Sequence, residues 1–384
     1  MKVMIVGFGH VGRSVLNLAL KSTLTNHCEF VVGVRSSARH VAEFNLITLF
    51  SMASADAIHA VPHARMVDLD VEQVEQTAET LSKLQPDVVI NAASRQAWWY
   101  PDLLPAAHKQ RLASNPVGPS LPNHLVPAMR LQQALQESGR RPKTFTINAA
   151  YPDVVNPVLA RCGLGFEVGA GNIANPINAI RAAAALEARV AASDIHVRAW
   201  GHHSFSYRVT RQGDPTPAPF HIEFESAQGE LLDLEPLAVF RHLPTTFKRT
   251  SGLAGTLMTG ASVWSVLRAY VDQHGQTVHA PGPQGLEGGY AIKVRGAKVE
   301  LVSPLTSSLA QVQAINRAGA VLDGIECIED DGTVVFTPGP MDVIQKVTGY
   351  SCQRMALRDA QACSDDWLAR FQACRADQAD SRAA

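Results

Sequence analysis

The chain opens Met1-Lys2-Val3-Met4-Ile5-Val6-Gly7, and Gly7-Phe8-Gly9-His10-Val11-Gly12 completes a G-x-G-x-x-G at once. An apolar run that ends in this turn and passes into a helical pattern has few folded solutions. The first glycine permits a tight turn, the second lets backbone approach a phosphate, and the third lets helix pack on strand. Apolar residues at 11, 15, 16, 18, 19 and 20 supply the helix, and Phe30–Val34 is the next apolar run. The first amides of such a helix have no intrahelical acceptor and favour an anion. The pattern predicts an N-terminal Rossmann domain binding a nicotinamide dinucleotide, with Gly7, Gly9, His10, Val11 and Gly12 at the pyrophosphate.

The residues after the second strand select the cofactor. An acid there accepts from a ribose hydroxyl, whereas cations favour a 2′-phosphate. Here Val34-Arg35-Ser36-Ser37-Ala38-Arg39 carries no acid. Arg35 and Arg39 are expected to pair with the phosphate and Ser36 and Ser37 to donate to it, so NADP(H) is favoured over NAD(H).

Strand and helix patterns alternate through the first half: helices over 42–52 and 71–85, and buried strands over 87–93 and 144–150. Both strands end in small residues, which places Ala93, Ser94, Arg95 and Asn148 at the cofactor-facing edge. Segment 97–122 holds Trp98, Trp99 and five prolines, and reads as a substrate lid. After about residue 192 the character changes. Strands are predicted at 195–200, 205–211 and 220–226, a hairpin within 290–303, and strands 324–329 and 333–337 around Asp330-Asp331-Gly332. Helices are predicted over 253–273 and 308–320. The fold class is α/β: a doubly wound parallel Rossmann sheet over 1–165, an α+β substrate domain over 166–375, and a polar, disordered tail over 376–384.

Composition narrows the function classes. The net charge of −1 with 18% charged residues gives no basic patch for nucleic acid and no attraction to anionic membranes. The N-terminal apolar run is too short for a signal peptide, and no stretch reaches membrane-spanning length. Six cysteines form no C-x-x-C pair and no zinc-like grouping. Buried free thiols, a cytoplasmic location and no metal are expected.

Several segments in order resemble the lactate/malate dehydrogenase superfamily, which also contains NAD-dependent glycosidases. Asn91-Ala92-Ala93-Ser94-Arg95-Gln96 is similar to its strand end before the mobile loop, and Asn148 to Asp153 is similar to its Asn-Pro-x-Asp turn. Gly171-Asn172 through Arg181 resembles the segment whose Arg clamps a substrate carboxylate, and Gly201-His202-His203-Ser204 resembles the turn carrying the catalytic histidine. The resemblance implies Asn148 at the nicotinamide, Arg181 on the carboxylate, His203 (with His202 second) as acid/base, and homo-oligomers. It places Asn178 where the family has the Asp that orients the histidine, and an amide cannot stabilise an imidazolium as a carboxylate does. The glycosidases' metal-binding Cys has no counterpart near Asn172. Saccharopine-dehydrogenase-like and dihydrodipicolinate-reductase-like oxidoreductases share the domain order, and the latter's His-His pair is similar to His202-His203.

The mobile-loop cation is open among His108, Lys109 and Arg111, and Trp98, Trp99 and Tyr100 form either a pocket wall or a packed anchor. Asp153 reads as a helix cap, and Thr256 and Thr259 as helix core or pocket lining. The expected protein is an NADP(H)-dependent oxidoreductase transferring hydride to or from a small 2-oxo or 2-imino acid. Two alternatives stand beside it: an NAD(P)-dependent lyase or glycosidase-like enzyme with internal hydride return, and a non-catalytic dinucleotide-binding sensor or partner protein.

Overall fold

A computed structural model describes residues 1–55, 61–112, 116–250 and 252–381, with side chains as far as Arg375. Six parallel strands form the first sheet: β1 (Lys2–Val6), β2 (Glu29–Val34), β3 (His63–Asp68), β4 (Val88–Asn91), β5 (Phe145–Asn148) and β6 (Val168–Gly169). Their order, β3-β2-β1-β4-β5-β6, is the doubly wound Rossmann order. The strand order runs outward in opposite directions from β1 and β4, and that switch point opens a crevice at the carboxyl edge of the sheet. The central strands β1 and β4 are the most apolar because both their faces are covered by helices: Val3, Met4, Ile5, Val88, Val89 and Ile90 are fully buried.

The second sheet is antiparallel and is built from β7 (Ile195–Gly201), β8 (Phe220–Ser226), β9 (Thr277–Pro281), β10 (Gly289–Arg295) and β11 (Lys298–Leu301). Helix Gly252–Asp272 joins the two sheets. It packs on helix His10–Lys21 and on β9 and β10, so Val263, Val266, Leu267 and Ala269 share one core with both sheets. The approach is close: a Cβ on Gly260 would lie 2.4 Å from that of Ser14.

The C-terminal quarter returns to the Rossmann side. A small antiparallel sheet of β12 (Ile325–Ile328), β13 (Val334–Phe336) and β14 (Arg354–Met355) shares a core with helices Pro122–Glu137, Pro152–Arg161, Pro338–Thr348 and Ala360–Ser381. Trp367 is its largest member, meeting Tyr350 and Tyr100 edge-on. The last helix runs to Ser381, into the segment expected to be a disordered tail; residues 382–384 lie outside the described residues.

Two local expectations are corrected. Residues 205–211 are not a strand but part of helix His203–Gln212. Phe205 and Val209 are buried one turn apart, a helical spacing, and Gly213 ends the helix at φ 68°. The described residues of segment 97–122 are more regular than a loop, with turns at Tyr100–Leu103 and Gly118–Ser120 and a helix at Ala106–Leu112, while residues 113–115 lie outside the described residues. Tyr100 is buried against Trp367 and Phe371, so the aromatic run is an anchor, while Trp98 stays 42% exposed.

The first turn has no spare room. A Cβ on Gly12 would lie 2.1 Å from the Gly7 carbonyl oxygen. Gly12→Ala is therefore expected to cost about 1–3 kcal/mol of stability, as overpacking does, read as a lower urea midpoint with an unchanged slope.

Candidate functional site

Gly7 takes φ 97°, and a Cβ there would strike the Ala92 backbone at 2.9 Å. Around Gly9, at the start of helix His10–Lys21, a Cβ would meet nothing within 4 Å. The turn is thus packed from below and open above, the shape a diphosphate needs in order to reach the helix amides. The residues present fit a dinucleotide.

At the neighbouring edge, Arg35 is exposed and begins the turn into Ser37–His40. Neither Arg35 nor Arg39 forms an ion pair among the described residues. One acid does reach this place, against the sequence expectation. Asp68, at the end of β3, accepts from the Ser37 amide at 2.6 Å, and that bond holds its carboxyl below the usual range. Sequence distance hid it: register pairs Val34 with Asp68.

Two expected cofactor contacts are corrected. Asn148 is fully buried and saturated, its carbonyl accepting from Asn91 and the Ala150 amide while its amide donates to Asn156 and the Ala150 carbonyl. It fixes the ends of β4 and β5 and has nothing left for a nicotinamide. Arg95 is likewise spent, meeting Glu72 at 3.0 Å, Asp365 at 2.7 Å and Ser364 at 2.9 Å. Ala93 donates its amide to Asn91, and Ser94 is exposed beside it.

The polar centre of the molecule lies where the carboxyl edge of β5 and β6 meets the end of β7. Gly201 ends β7, His202 is the residue before the helix, and His203 is its first residue. Both imidazoles turn to one carboxylate: His202 Nδ1 lies 2.7 Å from Asp323 Oδ2, and His203 Nδ1 lies 3.1 Å from each oxygen. Asp323 is the residue after helix Leu309–Leu322, and the Gly118 amide donates to its backbone carbonyl. The His203 side chain is 25% exposed, against 0% for His202 and 4% for Asp323. His203 is therefore the member that a substrate can reach, with Nε2 directed away from the carboxylate.

Electrostatics follow the packing. Burial would lower both imidazole pKa values, but the hydrogen bonds and charge of Asp323, helped by Asp153, outweigh it and raise them. Burial acts on Asp323 in the opposite sense, yet the two histidines hold its carboxyl far below the usual range. Asp153 differs: burial raises it more than the histidines lower it. It does not cap its helix, as the sequence led us to expect, but accepts from the Asn172 amide.

Tyr151 precedes it in a left-handed conformation (φ 45°), which is rare and strained for a tyrosine. Its ring stands edge-on to His203 at 6.1 Å and to His124 at 6.2 Å, and its hydroxyl is buried without a partner. His202 Nε2, Asp153 Oδ1 and His124 Nδ1 are also buried without partners.

The structure brings His202 and His203 together as expected, but it redistributes the supporting roles. Asn178 is exposed on helix Ala174–Ala188 and does not orient a histidine; Asp323, 120 residues beyond His203, does. Arg181 lies on the same helix, half-buried beside Arg268, and its charge bears on His279 of β9. The guanidinium whose field reaches His203 is Arg211, laid over the Tyr207 ring at 3.8 Å, with Arg249 nearby. Of the loop candidates, Lys109 pairs with Asp102 and His108 meets Cys374 Sγ at 3.0 Å, leaving Arg111 without an ion pair among the described residues. Thr256 is buried and bonds its own helix.

No protein-family model matches the chain, and no curated protein matches it. Solved structures do. A lactate dehydrogenase from a Medee basin deep-sea metagenome library superposes with a TM-score of 0.52 at 11% identity, over 84% of this chain and 96% of that one. The chain has the lactate/malate dehydrogenase fold. Malate dehydrogenase from Plasmodium falciparum in complex with NADH gives 0.50 at 13% identity, over 84% and 99%. Lactate dehydrogenase from Cryptosporidium parvum, complexed with lactic acid and nicotinamide adenine dinucleotide, gives 0.50 at 14%, over 84% and 98%. No helix among the described residues is long and apolar enough to cross a membrane.

The histidine–aspartate cluster has a pH signature. Both imidazoles titrate above their ordinary 6.5 when folded, so their contribution to stability is complete below 6.5 and fades as pH rises through the folded values. Urea-unfolding stability should fall over that interval, and Asp323→Asn should flatten the fall. In the same variant the His203 ring resonance should titrate lower than in the parent; an unmoved titration would remove Asp323 as its partner.

Proposed function

We propose that the protein is an NADP(H)-dependent oxidoreductase acting on a small carboxylate-bearing substrate, a 2-oxo or 2-imino acid. The observation that carries this reading is His203, solvent-accessible and held by Asp323, at the carboxyl edge of a sheet whose first turn is an open G-x-G-x-x-G. The fold neighbours that carry NADH, or lactic acid with its dinucleotide, support it by likeness of fold.

The bound dinucleotide would supply or accept the hydride. The helix amides after Gly9 would hold its diphosphate, and Arg35 and Arg39 a 2′-phosphate. Asp68 is engaged by the Ser37 amide, and the two arginines are the cations at that edge. His203 donates a proton from Nε2 to the oxygen or nitrogen that gains charge in the reducing direction, and removes it in the other. Asp323 fixes the ring by holding Nδ1, and its charge favours the protonated form. Arg211, with Arg249 beside it, would hold the substrate carboxylate in place of Arg181. A cytoplasmic, homo-oligomeric enzyme fits this reading.

The reading is tested by following NADPH oxidation with a panel of 2-oxo acids, with and without amines. His203→Ala should lower kcat by about 10²- to 10⁴-fold with dinucleotide affinity unchanged. Turnover equal to the parent's would remove His203 from the chemistry. Arg211→Gln should raise KM more than it lowers kcat, and Arg181→Gln should not.

In tryptophan-quenching titrations NADPH should bind more tightly than NADH. Arg35→Ala and Arg39→Ala should each weaken NADPH roughly 10- to 100-fold and leave NADH unchanged. Tighter NADH binding would overturn the NADP assignment and point to Asp68 at the ribose.

A further inference from the structure

None of the six cysteines is in a disulfide, and the sulfurs of two of them meet. Cys352 lies just before β14 and Cys363 lies in the first turn of helix Ala360–Ser381, and their sulfurs are 3.9 Å apart. Both are half-buried, so a small solute reaches them while bulk solvent does not surround them. Cys352 Sγ also lies 3.4 Å from the Arg354 carbonyl oxygen. A disulfide needs sulfurs at about 2.05 Å, so the pair must close by roughly 2 Å.

The helix that carries Cys363 is the one that holds the strand end before segment 97–122. Ser364 and Asp365 take Arg95, Ser364 donates to Asn123, and the Trp367 indole donates to Gln96 at 2.6 Å. A covalent change at residue 363 therefore acts next to three residues that fix both ends of that segment.

We propose that Cys352 and Cys363 are an oxidation site, a dithiol that hydroperoxides convert to an intramolecular disulfide. The Cys352 thiolate attacks the terminal peroxide oxygen, the S–O bond forms as O–O breaks, and an alcohol (water, from hydrogen peroxide) leaves. Cys363 sulfur then attacks that sulfur, the S–S bond forms, and the hydroxyl leaves with the Cys363 proton as water. Two electrons pass from the thiols to one peroxide. The direction is set by the pair itself: the hydrogen bond from Cys363 pulls the Cys352 thiol below the usual range, against its burial. Burial instead pushes Cys28, Cys162 and Cys327 up. The site stands independently of the proposed reaction.

The test treats the full-length protein with a few equivalents of hydrogen peroxide, then measures intact mass, free thiols after denaturation, and the cross-linked peptide. The expected result is a loss of about 2 Da, thiols falling from six to four, and a peptide joining 352 to 363. Cys363→Ser should stop at the sulfenic acid, trapped by dimedone on Cys352, and Cys352→Ser should give neither product. Circular dichroism and urea midpoints matching the parent keep both serine variants interpretable. Six thiols retained, a cross-link elsewhere, or dimedone labelling unchanged in Cys352→Ser would overturn the proposal.

Discussion

A carboxylate taken out of water costs several kcal/mol unless opposite charge and hydrogen bonds meet it. Asp323 meets that condition against an added disadvantage, because it closes helix Leu309–Leu322 at the end where the helix dipole is negative. Two imidazoles compensate, one fully buried and one open to solvent. The same residue's backbone carbonyl receives the Gly118 amide, and a Cβ on Gly118 would lie 2.2 Å from that oxygen. One residue thus ties the end of the antiparallel sheet, a helix terminus and the proline-rich segment into one arrangement.

Chemistry and architecture share that constraint. A histidine that must give and take protons needs a fixed tautomer and an accessible second nitrogen, and the shared carboxylate supplies the first while geometry supplies the second. The surrounding orphan atoms, Tyr151 hydroxyl, His202 Nε2, Asp153 Oδ1 and His124 Nδ1, are polar groups that buried protein normally pairs. All four stand around the paired imidazoles and Asp323. Tyr151, left-handed at φ 45°, carries backbone strain beside the same cluster.

The C-terminal helix has a double role. It completes a core around Trp367, and its polar face holds Arg95, Gln96 and Asn123. That explains why Arg95, which resembles a residue at the start of a mobile substrate loop, is occupied here. It also ties both flanks of segment 97–122 to the body of the protein.

Periodicity and glycine spacing determined the Rossmann half. An apolar strand, a G-x-G-x-x-G and a second strand at the right distance are local features, and each is dictated by residues within one βαβ unit. The histidine pair was legible too, because a strand end followed by two histidines is contiguous. What tertiary structure alone decided is which distant groups complete the site. Asp323 is 120 residues from its partner and has no local pattern to mark it, and Asp68 reaches Ser37 only through strand register. Asn148 and Arg95 carry the right side chains in the right order, but hydrogen-bond saturation, which no one-dimensional spacing records, assigns them elsewhere.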